Sequence, residues 1–132
     1  MIPSEYLDQI VTGDARELAK RLPDESVDLI FTDPPYPKEY LWCYEWLAET
    51  AARVLKPGGL CVALCGHFGV LEAMNLMQVH LEYYWLGGME HNGSNAAIFP
   101  RKMWASWKPM LWFVKTGEVQ KNWTFDLWSP ER

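Results

Sequence analysis

The chain predicts an α/β fold on a mostly parallel sheet, and three observations predict it. Apolar, β-branched runs of strand length alternate with segments of helical periodicity, the pattern of a doubly wound sheet. At 132 residues, with 49% apolar residues and eight tryptophans, the chain is one domain with ample material for a core. The strand-like run Val27–Thr32 ends on Asp33-Pro34-Pro35-Tyr36. In open α/β sheets the carboxyl end of a strand is where ligands bind.

The elements follow in order. Residues 9–12 read as a short strand closed by Gly13-Asp14. Residues 15–22 read as a helix with Asp14 at its N-cap and Pro23 beyond its end. Val27–Thr32 reads as a buried strand, stopped by two prolines that stiffen the following loop. Residues 40–55 read as a long helix with Trp42, Trp46 and the following Ala and Leu positions on its apolar stripe. Glu45, Glu49 and Arg53 occupy another face. Residues 60–65 form a second buried strand, and residues 70–79 a helix with Leu71, Met74 and Met77 inward. Residues 81–86 and 103–115 are strands, antiparallel neighbours at one sheet edge. Gly87-Gly88 punctuates the loop of roughly fifteen residues between them, long enough to suspect function. Residues 121–132 carry no pattern.

The corner at residues 33–36 carries the chemistry. It presents a carboxylate (Asp33), a free carbonyl (Pro34), the stiffening Pro35 and an aromatic face (Tyr36). Two acceptors beside a flat ring suit an amine on a planar heterocycle. Both acceptors can hold the amine hydrogens while the ring stacks on the tyrosine, which is catalysis by electrostatic placement. This Asp-Pro-Pro-Tyr run resembles the catalytic motif of amino-group DNA methyltransferases, which act on adenine N6 or cytosine N4. The flanks are also similar to that family. Thr12-Gly13-Asp14-Ala15 and Leu22-Pro23-Asp24-Glu25-Ser26-Val27-Asp28 resemble the lead-in to the motif. Leu55-Lys56-Pro57-Gly58-Gly59-Leu60 resembles the turn before the next strand, and 108–115 (Lys108-Pro109-Met110-Leu111-Trp112-Phe113-Val114-Lys115) the late hairpin strand.

The resemblance implies a partial Rossmann-like (class I methyltransferase) sheet, mostly parallel with an antiparallel edge hairpin. It implies S-adenosylmethionine as cofactor, with Asp14, Ala15 and Asp33 at the cofactor, and Asp33, Pro34, Pro35 and Tyr36 as the catalytic group. The substrate implied is double-stranded DNA with a flipped base. Adenine N6 is favoured, since the family more often has Asp at the first motif position for adenine and Ser for cytosine. The family's glycine-rich cofactor loop is not found. Gly58-Gly59 follows a helix, and Gly66-His67-Phe68-Gly69 reads as a tight turn. One subclass places the catalytic motif first and the cofactor loop late, and this chain starts as that subclass starts. Residues 1–132 are therefore expected to be one incomplete catalytic domain: a piece of a longer gene, half of a split enzyme, or a degenerate relative. The alternatives are a non-catalytic α/β module that binds a complementary polypeptide or a second copy, and a methyltransferase of ribosomal RNA or protein glutamine. Those last families usually place the cofactor loop before the motif.

Net charge is −5, but its distribution is uneven. Residues 1–50 carry 11 acids and 4 bases, whereas residues 101–132 carry 3 acids and 6 bases. Arg101, Lys102, Lys108, Lys115, Lys121 and Arg132 there interleave with Trp104, Trp107, Trp112 and Trp123, a mixture that fits phosphates and unstacked bases or simply a strand with one basic face. Lys38, Arg101, Lys102 and Lys108 are the expected nucleic-acid contacts. Three cysteines with no framework spacing point to a reducing compartment, and no run is long enough to span a membrane; a cytoplasmic setting in a bacterium, phage or mobile element is expected. Cys61, Cys65 and His67 fit no standard zinc spacing and read as buried thiols beside a turn, so no metal is expected. Asp28 reads as a strand-entry residue; His80 and His91 suggest no role.

Overall fold

The computed structural model describes residues 1–91, 95–116 and 123–129. In chain order these form α1 (Ala15–Leu18), β1 (Val27–Thr32), α2 (Trp42–Val54), β2 (Leu55–Leu64), α3 (Val70–Met77), β3 (Glu82–Glu90), β4 (Ala96–Ile98), β5 (Met103–Ala105), β6 (Trp107–Val114) and β7 (Leu127–Trp128). The main sheet runs β1-β2-β6-β3-β7. β1 pairs parallel with β2, and β7 with β3, while β6 pairs antiparallel with both β2 and β3. Among the described strands of this sheet four thus share one direction and β6 opposes them.

β2 and β6 form the centre because their sequences permit burial on both faces. Leu60, Cys61, Val62, Ala63 and Leu64 are all buried, as are Met110, Leu111, Trp112, Phe113 and Val114. The pleat sends alternate residues to opposite sides. Cys61, Ala63, Cys65, Leu111 and Phe113 pack under Tyr44, Leu47, Ala48 and Ala51 of α2 and Ala73 and Met77 of α3. Leu60, Val62, Leu64, Met110, Trp112 and Val114 form a second layer on the other face, against Tyr84, Met89 and Trp128. Arg53 ties the amino-terminal segment to α2, donating to the Leu22 and Ala19 carbonyls at 2.7 and 2.8 Å.

Several expectations are corrected. Residues 9–12 form no strand. Ile10 is fully exposed, and among the described residues no strand pairs with this segment. β1 is an edge strand rather than a buried one, with Leu29 and Phe31 about half exposed and Phe31 stacked on Trp128 at 5.8 Å. In α2 the buried stripe is Tyr44, Leu47, Ala48, Ala51 and Val54; Trp42 lies outside it, under the Arg16 guanidinium at 5.2 Å. In α3 the inward set is Ala73 and Met77 with Val70 and Met74 beside them, while Leu71 points to solvent. Helical geometry places 70, 73, 74 and 77 on one face and 71 off it.

Gly87 and Gly88 sit inside β3 and not in a loop, because other chain passes too close for a side chain. A Cβ at Gly88 would stand 2.7 Å from the Trp107 ring, and one at Gly87 2.7 Å from the Asp126 carbonyl. The predicted long late strand is broken at Ser106 into β5 and β6, and β5 folds back as a two-stranded ribbon on β4, which lies within the predicted loop. Residues 121–122 and 130–132, with Lys121 and Arg132, lie outside the described residues; β7 emerges at Leu127–Trp128.

Candidate active site

Three chain segments meet where β1 and β2 end and β6 begins. Thr32 pairs with Ala63 and Leu64 with Met110, so Asp33, the residues after Leu64, and Lys108 emerge on the same rim. Cys65 N donates to the Pro109 carbonyl at 3.0 Å, closing β2 against β6 just below that rim. The motif itself is irregular chain from Asp33 to Tyr36, followed by a single 3-10 turn, Lys38–Tyr40, that leads into α2.

The Asp33 carboxylate faces outward, 46% exposed, with Lys108 Nζ 4.0 Å from its Oδ2. Pro34 is half-buried and Pro35 exposed. The Tyr36 ring rests on Gly66, where an added Cβ would lie 3.4 Å from Tyr36 Cβ, and Lys108 Nζ stands 5.5 Å from the ring centroid. The Tyr36 hydroxyl is buried and meets no partner at hydrogen-bond distance among the described residues; burial, then the nearby Asp33 carboxylate, raises its pKa. The floor beneath is Tyr44, whose hydroxyl donates to the Leu64 carbonyl at 2.8 Å. Burial raises the Tyr44 pKa and pushes the Cys61 thiol up to about 12. Cys65 is also raised by burial, with its bonds to Tyr44 and the Gly66 backbone pulling the other way.

These buried acids set an alkaline limit. The folded state keeps protons that the unfolded chain releases above the ordinary values of 9.0 for the Cys61 thiol and 10.0 for the Tyr44 phenol. The groups therefore leave stability unchanged near neutrality and lower it as pH rises past 9 and 10 toward the folded values. The unfolding free energy from urea melts is expected to fall as pH rises past 9, by about 1.4 kcal/mol per pH unit for each group titrating only in the unfolded chain. A flat profile to pH 11 would contradict this burial.

The other expected site residues are dispersed. Asp14 caps α1, accepting from Arg16 N at 2.8 Å, and its two oxygens are bridged by the Arg16 side chain. Arg16 in turn covers Trp42, which sets Asp14 and Ala15 beside the start of α2, at the motif's end of the sheet. Lys38 is exposed in the turn after the motif. Arg101 lies over the Phe68 ring at 5.3 Å, and Lys102 holds a left-handed backbone (φ 57°) at the ribbon's bend. Lys108 does not project with them; it turns onto Asp33 and Tyr36. Sequence reasoning missed Gly66 as the seat of Tyr36, and His67 and Trp107 as its neighbours. His67 Nε2 donates to the Trp107 carbonyl at 2.9 Å, and the two rings meet edge to face at 4.8 Å. A half-open cavity of about 230 Å³ lies beside them, lined by His67, Phe68, Arg101, Trp104 and Trp107. The signal was available as a glycine placed directly after a strand. Cys61 and Cys65 are core thiols, Asp28 pairs with Lys56 at 3.0 Å, and His80 joins no part of the site.

An α/β sheet in which, among the described strands, only β6 is reversed carries its acid–proline–proline–tyrosine corner at a strand's carboxyl end, where ligands bind in open α/β sheets. The comparisons with known proteins narrow the reading. Over 138 aligned residues the chain is 37% identical to the type II methyltransferase M.BglII of Bacillus subtilis, covering 89% of this chain and 38% of that protein. It is 29% identical over 136 residues to the DNA adenine methyltransferase YhdJ of Escherichia coli K12, covering 89% and 43%. Among solved structures, that of an M1.HpyAVI–SAM complex superposes with a TM-score of 0.65 at 25% identity, covering 92% of this chain and 65% of that one. No protein-family model matches. The homologues of this chain are amino-group DNA methyltransferases, and its fold is a partial Rossmann-like methyltransferase fold. The chain spans about two fifths of the length of these curated relatives.

Proposed function

We propose that residues 1–132 form the base-binding part of the catalytic domain of an S-adenosylmethionine-dependent DNA methyltransferase that methylates an exocyclic amine, adenine N6 first. One observation carries the reading: an outward-facing Asp33 carboxylate beside the Pro34 backbone and a Tyr36 ring seated on Gly66, all at the carboxyl end of β1. The Asp33 carboxylate and Pro34 carbonyl accept the two amine hydrogens and turn the nitrogen lone pair out of the ring plane. Tyr36 takes the face of a base that has left the duplex. A bound methyl donor would supply the methyl group, and Asp33 would take the surplus proton of the amine and pass it to solvent. Positioning supplies most of the rate. Asp at the first motif position, and a relative named as an adenine methyltransferase, support N6.

The cofactor supplies an electrophilic methyl on sulfur. Asp33, exposed on the rim, and Asp14 with Ala15, which the Arg16–Trp42 contact links to the start of α2, are the candidates for its nucleoside end, and Arg16 would have to release the Asp14 oxygens for them to accept from it. The sequence has no glycine-rich loop after a strand for the methionine end. Lys38, Arg101 and Lys102 are the candidate phosphate contacts, on turns beside the motif and at the bend of the β4–β5 ribbon. Among the described residues no helix is long and apolar enough to cross a membrane, and DNA as substrate fits a cytoplasmic setting.

A second reading has its own observation. Among the described residues β1 is a sheet edge, with Leu29 and Phe31 half exposed. Such an edge accepts a strand from a complementary polypeptide or a second copy. The two readings are compatible in a split enzyme. To test the first, the protein is incubated with duplex DNA and methyl-labelled donor, and the nucleosides are separated. Label is expected on adenine N6. Label on cytosine N4 moves the target; calorimetric binding of the donor with no label on either base overturns catalysis by this chain and leaves the partner reading.

A further inference from the structure

The charge pattern assigns Lys108 to phosphate contact, and the structure gives it a different position. Its Nζ stands 4.0 Å from Asp33 Oδ2 and 5.5 Å from the Tyr36 ring centroid, beside the two groups assigned to the amine and the ring of the base. Its backbone is held in β6, paired with Met89 of β3, so the ammonium reaches the corner from a fixed strand. The neighbouring Trp107 and Pro109 anchor both sides. The Trp107 carbonyl accepts from His67, and the Pro109 carbonyl accepts from Cys65 N.

We infer that Lys108 is a specificity-determining residue that donates a hydrogen bond to the ring nitrogen next to the target amine. The inference rests on the base-pocket reading above. Asp33 only accepts and Lys108 only donates. Side by side they match a base edge that offers a donor and then an acceptor. Adenine offers the N6 amine and N1; cytosine offers the N4 amine and N3. Guanine and thymine present the reverse order, a carbonyl oxygen and then N–H, and meet two like-signed pairs. Rejection therefore comes from mismatch as much as from lost contact.

The assignment also answers a chemical problem. In adenine and cytosine the ring nitrogen, not the amine, carries the more available lone pair. A methyl donor offered to an unguarded base would alkylate N1 or N3. An ammonium bound to that lone pair occupies the competing nucleophile and leaves the amine to react. Lysine suits the task, because its flexible four-carbon stem lets the ammonium slide from the Tyr36 ring to the ring edge as a base enters.

The test uses base replacement and measures binding alone. One duplex carries adenine opposite an abasic site. Its twin carries 1-deazaadenine, in which a C–H replaces N1 while the amine and the stacking face remain. The protein is expected to bind adenine about tenfold or more tightly than 1-deazaadenine, the range for a charge-assisted hydrogen bond. Lys108→Met, which keeps the stem, is expected to bind both duplexes at the weaker level, and Lys108→Arg to restore part of the preference. Asp33→Ala reads the pocket itself, because it removes the acceptor that asparagine would keep. It weakens both duplexes alike if the amine sits there and changes neither if it does not, so failure of the base-pocket reading shows separately. Equal binding of the two bases by the wild-type protein overturns the Lys108 assignment whatever Asp33→Ala does. So does a Lys108→Met protein that loses affinity for every duplex equally while keeping the adenine preference, the signature of a phosphate contact.

Discussion

Asp33→Ala is expected to lower methyl transfer by about 10²–10³-fold, the loss typical of removing one placed transition-state partner, while leaving stability within about 0.5 kcal/mol of wild type. The separation follows from where the carboxylate sits. Its one described ion pair is with Lys108 at 4.0 Å, and both side chains are well exposed. Pairs of that kind contribute about 0–1 kcal/mol. Asp33 is thus placed at little structural cost, which is the expected condition of a group kept for chemistry. Single-turnover transfer of labelled methyl and a urea melt of the same preparation measure the two quantities. Wild-type turnover in the variant removes Asp33 from the reaction. A large loss of stability would mean that the carboxylate holds the corner together, and the outward geometry would then need another explanation.

The sequence made much of this legible, for reasons that differ by element. β2 and β6 are continuous apolar runs, and only a strand covered on both faces tolerates that composition. Asp14 is a cap residue before a short helix, and it caps. The corner at residues 33–36 was readable because two prolines leave the backbone few choices. What stayed hidden depends on contacts distant in sequence. Gly87 and Gly88 look like punctuation until Trp107 and Asp126 are seen against them. Leu71 looks inward until the α3 face is fixed by Ala73 and Met77 against the sheet. Val27–Thr32 has the composition of a buried strand, yet it lies at an edge, since composition does not report how many neighbours a strand has. Lys108 looks like a phosphate ligand from its charge, and only the register of β6 against β2 and β3 turns it toward Asp33.

The same dependence on the layer beneath makes Tyr44 the most sensitive position under the site. Its ring is 1% exposed, within the cluster that joins α2 to Cys61, Ala63, Cys65, Leu111 and Phe113. Its hydroxyl satisfies the Leu64 carbonyl at 2.8 Å, at the end of β2 where the chain turns through Cys65 to the Gly66 seat of Tyr36. Tyr44→Ala removes a large aromatic group from a packed core and is expected to cost about 3–5 kcal/mol. Against a typical domain stability of about 5–15 kcal/mol, that places the variant near its unfolding limit. Tyr44→Phe keeps the ring and removes only the donor, so about 1–2 kcal/mol is expected. Urea unfolding of both variants separates cavity from hydrogen bond. The phenylalanine variant also tests the coupling to function. If the carbonyl of Leu64 holds the end of β2 in place, base binding should weaken in Tyr44→Phe although no atom removed touches the base. Full base affinity together with a lowered urea midpoint would confine Tyr44 to the core and leave the seat of Tyr36 to Gly66 alone.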